Sequence, residues 1–211
     1  MFGTSSKTQS VSQLISVARA PVALSKHIKT LGVAFDERLF FDKHVDSVCR
    51  GCYFHIRALR HVRSSMSRET ADTVACAIAR SRLGYCNSVL AGISGANVDR
   101  YQPIRNTLSR VVAGTPRRDH ITPVLAGLHW PLVRALITFK VAILVYKIRE
   151  TRQQTYLSEI VEVYKPTRTL CSFSANLLAV HTRQSAIGAR SLRRTPSSVW
   201  NSLSDNIRLL N

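Results

Sequence analysis

Between Lys29 and Val45 the spacing of apolar positions changes from a period of two to a period near 3.6. Leu31, Val33 and Phe35 alternate with Gly32, Ala34 and Asp36, the pattern of a strand with one buried face. Gly32 carries no side chain above that strand, which suits a close backbone approach by another chain or a ligand. Asp36 and Glu37 follow as an acidic turn, and Asp42 stands where a carboxylate can accept from the first free N–H groups of a helix. Upstream, Leu14 to Arg19 and Val22 to Leu24, split by Pro21, are short strand candidates. With Ile28 to Phe35 they would form a small antiparallel patch.

Beyond this point the chain reads as helices. Val45, Val48, Cys49, Cys52, Ile56, Leu59 and Val62 share one helical face, and Lys43, Arg50, Arg57 and His61 line the opposite one. Ser67 is a cap for a second helix with Glu69 in its first turn, and Ala71, Val74, Ala75 and Ile78 carry its face. The pattern continues past Gly84 through Tyr85 to Leu90. A third helix spans about Asn97 to Ala113, with Val98, Tyr101, Ile104, Leu108, Val111 and Val112 inward and Pro103 expected to kink it or delay its start. Gly114 to Asp119 is a basic loop. Thr122-Pro123 reads as a cap followed by a first-turn proline, an arrangement repeated at Trp130-Pro131. A long helix to about Glu150 would bury Leu132, Val133, Leu136, Phe139, Leu144, Val145 and Ile148. Tyr156 to Val163 and Ser197 to Leu203 are shorter helices, the latter carrying Val199, Trp200 and Leu203. Leu177 to Val180 is extended. The fold class expected is mainly α with a small N-terminal β-hairpin patch, an α+β arrangement. The segments are a β region over 1–40, a helical bundle over 41–164 and a basic tail with a short helix over 165–211, with the seam near Tyr164 to Ser174.

Charge changes the picture most. Thirty basic residues face 12 acidic ones, a net +18 in 211 residues, while hydrophobic and charged fractions are ordinary for a folded domain. Such an excess repels itself unless a polyanion is near, which points to nucleic acid ahead of an anionic membrane. Of the basic residues 23 are Arg, favouring bidentate phosphate contacts and stacking on bases. Residues 100–211 hold 17 of the basic and 5 of the acidic residues. An odd number of cysteines, five, argues for a reducing, intracellular compartment, nucleus or cytoplasm. The longest apolar run, Ala135 to Tyr146, is interrupted by Lys140 and too short to span a membrane. Met1 to Pro21, rich in Ser and free of acids, also fits a mitochondrial transit peptide, although Lys7 and Arg19 are its only charges and a transit peptide is ordinarily rich in Arg.

A resemblance adds to this reading. The run from Lys29 to Val45, Lys-x-Leu-Gly-Val-x-x-Asp-x-x-Leu-x-Phe-x-x-His-Val, is similar to the region just after the polymerase active site in reverse transcriptases of non-LTR (LINE-type, jockey-like) retrotransposons. Ser81 to Ser88, Thr115 to Pro123, Leu128-His129-Trp130 and Val199 to Leu203 resemble further segments of that family in the same order. The resemblance implies a primer-grip hairpin followed by thumb-like and post-thumb helices that hold an RNA/DNA template–primer duplex by its backbone. Lys29, Leu31, Gly32 and Val33 would match the grip; an ordinary edge strand is the alternative. Arg50, Arg57, Arg60 and Arg63 would match duplex-facing thumb positions, against the alternative of a solvated helix face. Pro103 departs from the family pattern and leaves open a decayed copy.

Template-directed polymerisation needs carboxylates converging on two divalent cations. The family draws one pair from an aromatic-x-Asp-Asp turn, and no Asp-Asp pair occurs in this chain. Phe35-Asp36-Glu37 lacks the spacer and reads as a turn. No polymerase activity and no cofactor are therefore expected of this chain alone, although the parent enzyme would use Mg2+ and an upstream polymerase domain would carry it. Arg117 and Arg118, adjacent on a loop bounded by Gly114 and Pro116, can clamp a phosphate or stack on an unpaired base. The alternative is that Asp119 pairs with one of them and the loop is a corner. Cys49-Arg50-Gly51-Cys52 with His44 and His55 nearby is a weak metal pattern, because both thiols fall on the apolar side of a helix. A second function class is a non-catalytic interaction module that docks a protein through an exposed Trp200 helix.

Overall fold

The computed structural model describes residues 15–17, 20–22, 25–151, 155–165, 176–181 and 194–209. The expectations for Met1 to Leu14 and for most of the seam at 164–174 lie outside them. The chain is mainly helical, with short antiparallel hairpins ahead of the helices. β1 (Ile15–Val17) pairs with β2 (Ala20–Val22), and β3 (His27–Thr30) pairs with β4 (Val33–Asp36), His27 opposite Asp36 and Thr30 opposite Val33. These are two separate two-stranded sheets, not the single patch expected.

The strand expected through Leu31 and Gly32 is instead the turn of the second hairpin. Both residues have positive φ, 47° and 80°, as a two-residue loop matched to the strand twist requires. Leu31 is accordingly 83% exposed, while Val33 is buried and Phe35 half-buried. Leucine is a poor residue for the left-handed region. The Tyr85 hydroxyl, which donates to the Leu31 carbonyl at 2.7 Å, helps hold it there.

Asp36 then organises the entry to the first helix. Its carboxylate accepts from the backbone N–H groups of Arg38 (3.1 Å), Phe40 (2.9 Å) and Phe41 (2.6 Å), so that Leu39 and Phe41 can sit at φ 53° and 63°. Burial alone would raise its pKa, but those three bonds and the nearby His27 hold it below the ordinary carboxylate value. Asp42, expected to cap, is the first helical residue. Its Oδ1 accepts from the buried Asn97 amide at 2.7 Å, and the same Nδ2 donates to the Phe40 carbonyl at 3.0 Å.

α1 (Asp42–Val62) buries His44, Val45, Cys49, Cys52, Ile56 and Leu59, close to the face expected, with Val62 left exposed. α2 (Arg68–Ile78) is capped by Ser67, whose Oγ accepts from Thr70 N–H at 3.1 Å. It does not continue to Leu90: a π turn over Ala79–Leu83 ends it and Cys86 takes φ 49°. α3 (Gly95–Ala113) is capped by Ser94 and stays helical through Pro103, with Tyr101, Ile104, Leu108 and Val112 at the centre of the core. Gly114, at φ 67°, ends it, with its N–H and that of Thr115 both on the Arg110 carbonyl. α4 (Ile121–Gly127) starts one residue earlier than Thr122, with His120 Nδ1 accepting from Thr122 N–H at 3.4 Å. α5 (Val133–Thr151) starts after Pro131, and its first N–H is taken by the side-chain oxygen of Gln102 on α3 at 2.9 Å. Its buried stripe is Val133, Ile137, Val141, Val145 and Ile148; Leu132 and Phe139, expected inside, are exposed.

The expected helix at 156–163 shrinks to α6 (Thr155–Ser158), because Val163 bridges Leu178 in an antiparallel contact. α7 (Thr195–Asn201) and α8 (Asp205–Arg208) close the chain, and α7 packs on α5. Trp200, expected exposed, is 3% exposed. Its Nε1 donates to the Asn176 carbonyl at 2.9 Å, and the Arg149 guanidinium lies 5.0 Å from its ring centre. A protein interface built on an exposed Trp200 is therefore ruled out by the packing. Among the described residues no helix is long and apolar enough to cross a membrane.

Candidate nucleic-acid interface

Positions 43, 50, 54, 57 and 61 of α1 fall within about one fifth of a turn of one another at 3.6 residues per turn. Lys43, Arg50, Phe54, Arg57 and His61 are all exposed, so the outer face of α1 presents a cationic line with an aromatic ring inside it. Phe54 is 61% exposed, and its ring meets His55 edge-on at 5.4 Å. Tyr53 is exposed beside it. An exposed ring between guanidinium groups can stack on a base while the cations take phosphates.

Arg60 lies to one side of this line and opens onto a groove of about 670 Å³ between α1 and α3. Tyr53, Arg60, Asn106, Thr107, Arg110, Thr115 and Arg117 line it. The groove thus brings together Arg60 and Arg117, two predicted contacts separated by 57 positions in the chain. The loop that carries Arg117 is built by Arg110, whose guanidinium donates to the carbonyls of Pro116 (2.6 Å) and Asp119 (2.8 Å). Arg118 is left 88% exposed on its side chain, with its nearest Asp119 oxygen 4.0 Å away. The corner alternative is thus present in the structure, closed by Arg110 and with Arg118 paired to Asp119 at 4.0 Å, while the side chains of Arg117 and Arg118 both stay exposed.

Arg63 is a correction. It was expected to face a duplex, but each nitrogen of its guanidinium donates inside the protein: Nε to Val111 O at 3.0 Å, Nη2 to Val112 O at 2.8 Å and Nη1 to Met66 O at 3.0 Å. Val111 and Val112 are in the last turn of α3, where carbonyls have no helical partner. Arg63 therefore fastens the end of α1 to the end of α3. Gly32 is also changed in role: it serves a hairpin turn, and a Cβ there would stand 3.4 Å from Tyr85 Cε1. Lys29 is exposed on β3, away from the α3 groove residues in the chain but near His44. Burial, and then the Lys29 charge, hold the His44 pKa below its ordinary value.

Three aspartates near this face are engaged. Asp36 is held by backbone N–H groups, Asp42 by Asn97, and Asp46 by an ion pair with Arg100. Cys49 and Cys52 are both buried. Burial, with the neighbouring Cys49 adding to it, pushes Cys52 up to about 12, and Cys49 is likewise raised by burial. Among the described residues no three His, Cys, Asp or Glu side chains gather as a metal site. Sequence reasoning missed Arg110 and the rings of Tyr53 and Phe54. The second pair was readable, since 53 and 54 are three and four residues from Arg50 and the same from Arg57. Arg110 was not, because its role depends on a turn formed nine residues later. No protein family, characterised protein or solved structure matches the chain in comparison.

Proposed function

We propose that this chain is a nucleic-acid-binding segment that grips a duplex through its phosphates, as the thumb-side part of a non-LTR retrotransposon reverse transcriptase would grip template and primer. The observation that carries the reading is the outer face of α1 joined to the α3 groove: Lys43, Arg50, Arg57, Arg60 and Arg117 exposed, with Phe54 and Tyr53 among them. Cations so placed neutralise phosphates without reading sequence, and the release of counterions makes the binding salt-dependent. The proposal assigns no catalysis to this chain. Its setting is an intracellular one, nucleus or cytoplasm, where an RNA–DNA hybrid is available.

The test is a fluorescence polarisation titration of a labelled RNA–DNA hybrid at several salt concentrations. Neutralisation of five phosphates, one for each of these cations, gives a slope of log affinity against log salt of about −4 to −5. Charge reversal of Arg117 and Arg118 together should weaken binding at every salt concentration. Affinity that is absent at low salt, or flat as salt rises, would remove the proposal.

A further inference from the structure

A second cationic feature lies outside that face and is built differently. Arg105, on α3, is 6% exposed, and its Cζ stands 5.0 Å from the centre of the Trp130 ring. Its Nε has no hydrogen-bond partner among the described residues, and no carboxylate oxygen there comes within 4.0 Å of the guanidinium. An isolated buried cation is costly, and proteins ordinarily pair it. The stacked indole compensates only part of that cost. Burial also holds the Arg105 pKa below its ordinary value.

Arg105 lines a cavity of about 430 Å³ whose wall also includes Arg80, Lys140, Asp72, Leu136 and Phe139. Lys140 Nζ spends one donor on the Gly84 carbonyl at 2.7 Å, leaving two. Arg80 and Lys140 thus join Arg105 in one cavity wall, three cations against the single carboxylate of Asp72.

We propose that this cavity binds a phosphate group, either free or carried as a monoester on a small apolar body. The planar fork of Arg105 supplies paired donors for two phosphate oxygens, with Lys140 and Arg80 closing on the others. Leu136 and Phe139 give an apolar body a place to lie. The site stands independently of the α1 face.

The experiment is differential scanning fluorimetry of the full chain, with intrinsic tryptophan fluorescence, titrating inorganic phosphate, adenosine monophosphate and adenosine separately. At ten times the dissociation constant a bound phosphate should raise the melting temperature by about 3–6 °C. Adenosine monophosphate binding at least about tenfold more tightly than phosphate assigns the monoester, and equal affinity assigns the free ion. Adenosine alone should do nothing. Arg105→Met should abolish the shift while melting no lower than the parent, because it removes an unpaired buried charge. Arg105→Lys should keep a weaker shift. The paired surface variant Arg57→Gln with Arg117→Gln should keep the shift in full. The proposal is overturned if neither phosphate compound shifts the melt, if Arg105→Met shifts as the parent does, or if the surface variant loses the effect.

Discussion

Replacing Arg63 with Met separates the two roles that this residue has been given. In the structure its guanidinium makes three hydrogen bonds, to Val111, Val112 and Met66 carbonyls, at 2.8–3.0 Å from a half-buried position. A hydrogen bond involving a charged group contributes about 1.5–3 kcal/mol, and the three share one group and cannot simply be added. The Val111 and Val112 carbonyls would be left without their partner at the end of α3. The expected cost of Arg63→Met is therefore about 2–4 kcal/mol. Arg57→Met is the comparison. Arg57 is exposed and makes no hydrogen bond described within the protein, so its loss should change stability by no more than about 0.5 kcal/mol. Urea unfolding followed by far-ultraviolet circular dichroism measures both, with the slope against urea checked for constancy. The same proteins titrated with hybrid at several salt concentrations give the other half. Arg63→Met, studied at a temperature where it is folded, should leave the salt slope unchanged, while Arg57→Met should reduce its magnitude by about 1. Arg63→Lys keeps the charge but not the planar fork and should lose an intermediate amount of stability. The reasoning is refuted if Arg63→Met is as stable as the parent and binds with a shallower slope, since Arg63 would then be a phosphate contact after all.

Asp36→Asn should cost about 1–2 kcal/mol, because the carboxylate holds three backbone N–H groups at the entry to α1. The folded-state pKa of Asp36 is depressed, so its contribution is present above the unfolded value near 3.8 and lost as pH falls through the folded one. Urea midpoints of parent and variant should thus differ at pH 6 and converge only as the pH falls below the unfolded value and through the lower folded one; a constant difference would refute this. Trp200→Ala should destabilise by about 3–5 kcal/mol in the same urea assay, since the ring is buried against α5 and its N–H is bonded to Asn176. A neutral result would mean that α7 does not dock. Cys52, pushed up to about 12 by burial, should react with a thiol reagent at pH 8 more than about a hundredfold slower than free cysteine, as read by peptide mapping. Labelling at the free rate would show that the α1 face is open.

The amino-acid sequence by itself determined the helical character, the buried face of α1 and the Ser67 cap. Each rests on residues three or four apart, so the information is local, and burial of Val45, Cys49, Cys52, Ile56 and Leu59 follows from period alone. It also determined the excess of cations and which of them share the outer side of α1. Tertiary structure decided the rest, because the deciding partner was distant in the chain. Leu31 and Gly32 turn rather than extend, with Tyr85 more than fifty residues on holding the Leu31 carbonyl. The first N–H of α5 is satisfied by Gln102 of α3, so no local cap marks its start. Arg63 and Arg57 look alike in sequence, six positions apart on one basic run, and only the placement of the end of α3 beside Arg63 turns one into a clamp and leaves the other for solvent. A guanidinium satisfies whichever acceptors come within about 3 Å of it, and that distance is set by how helices pack, not by their order along the chain.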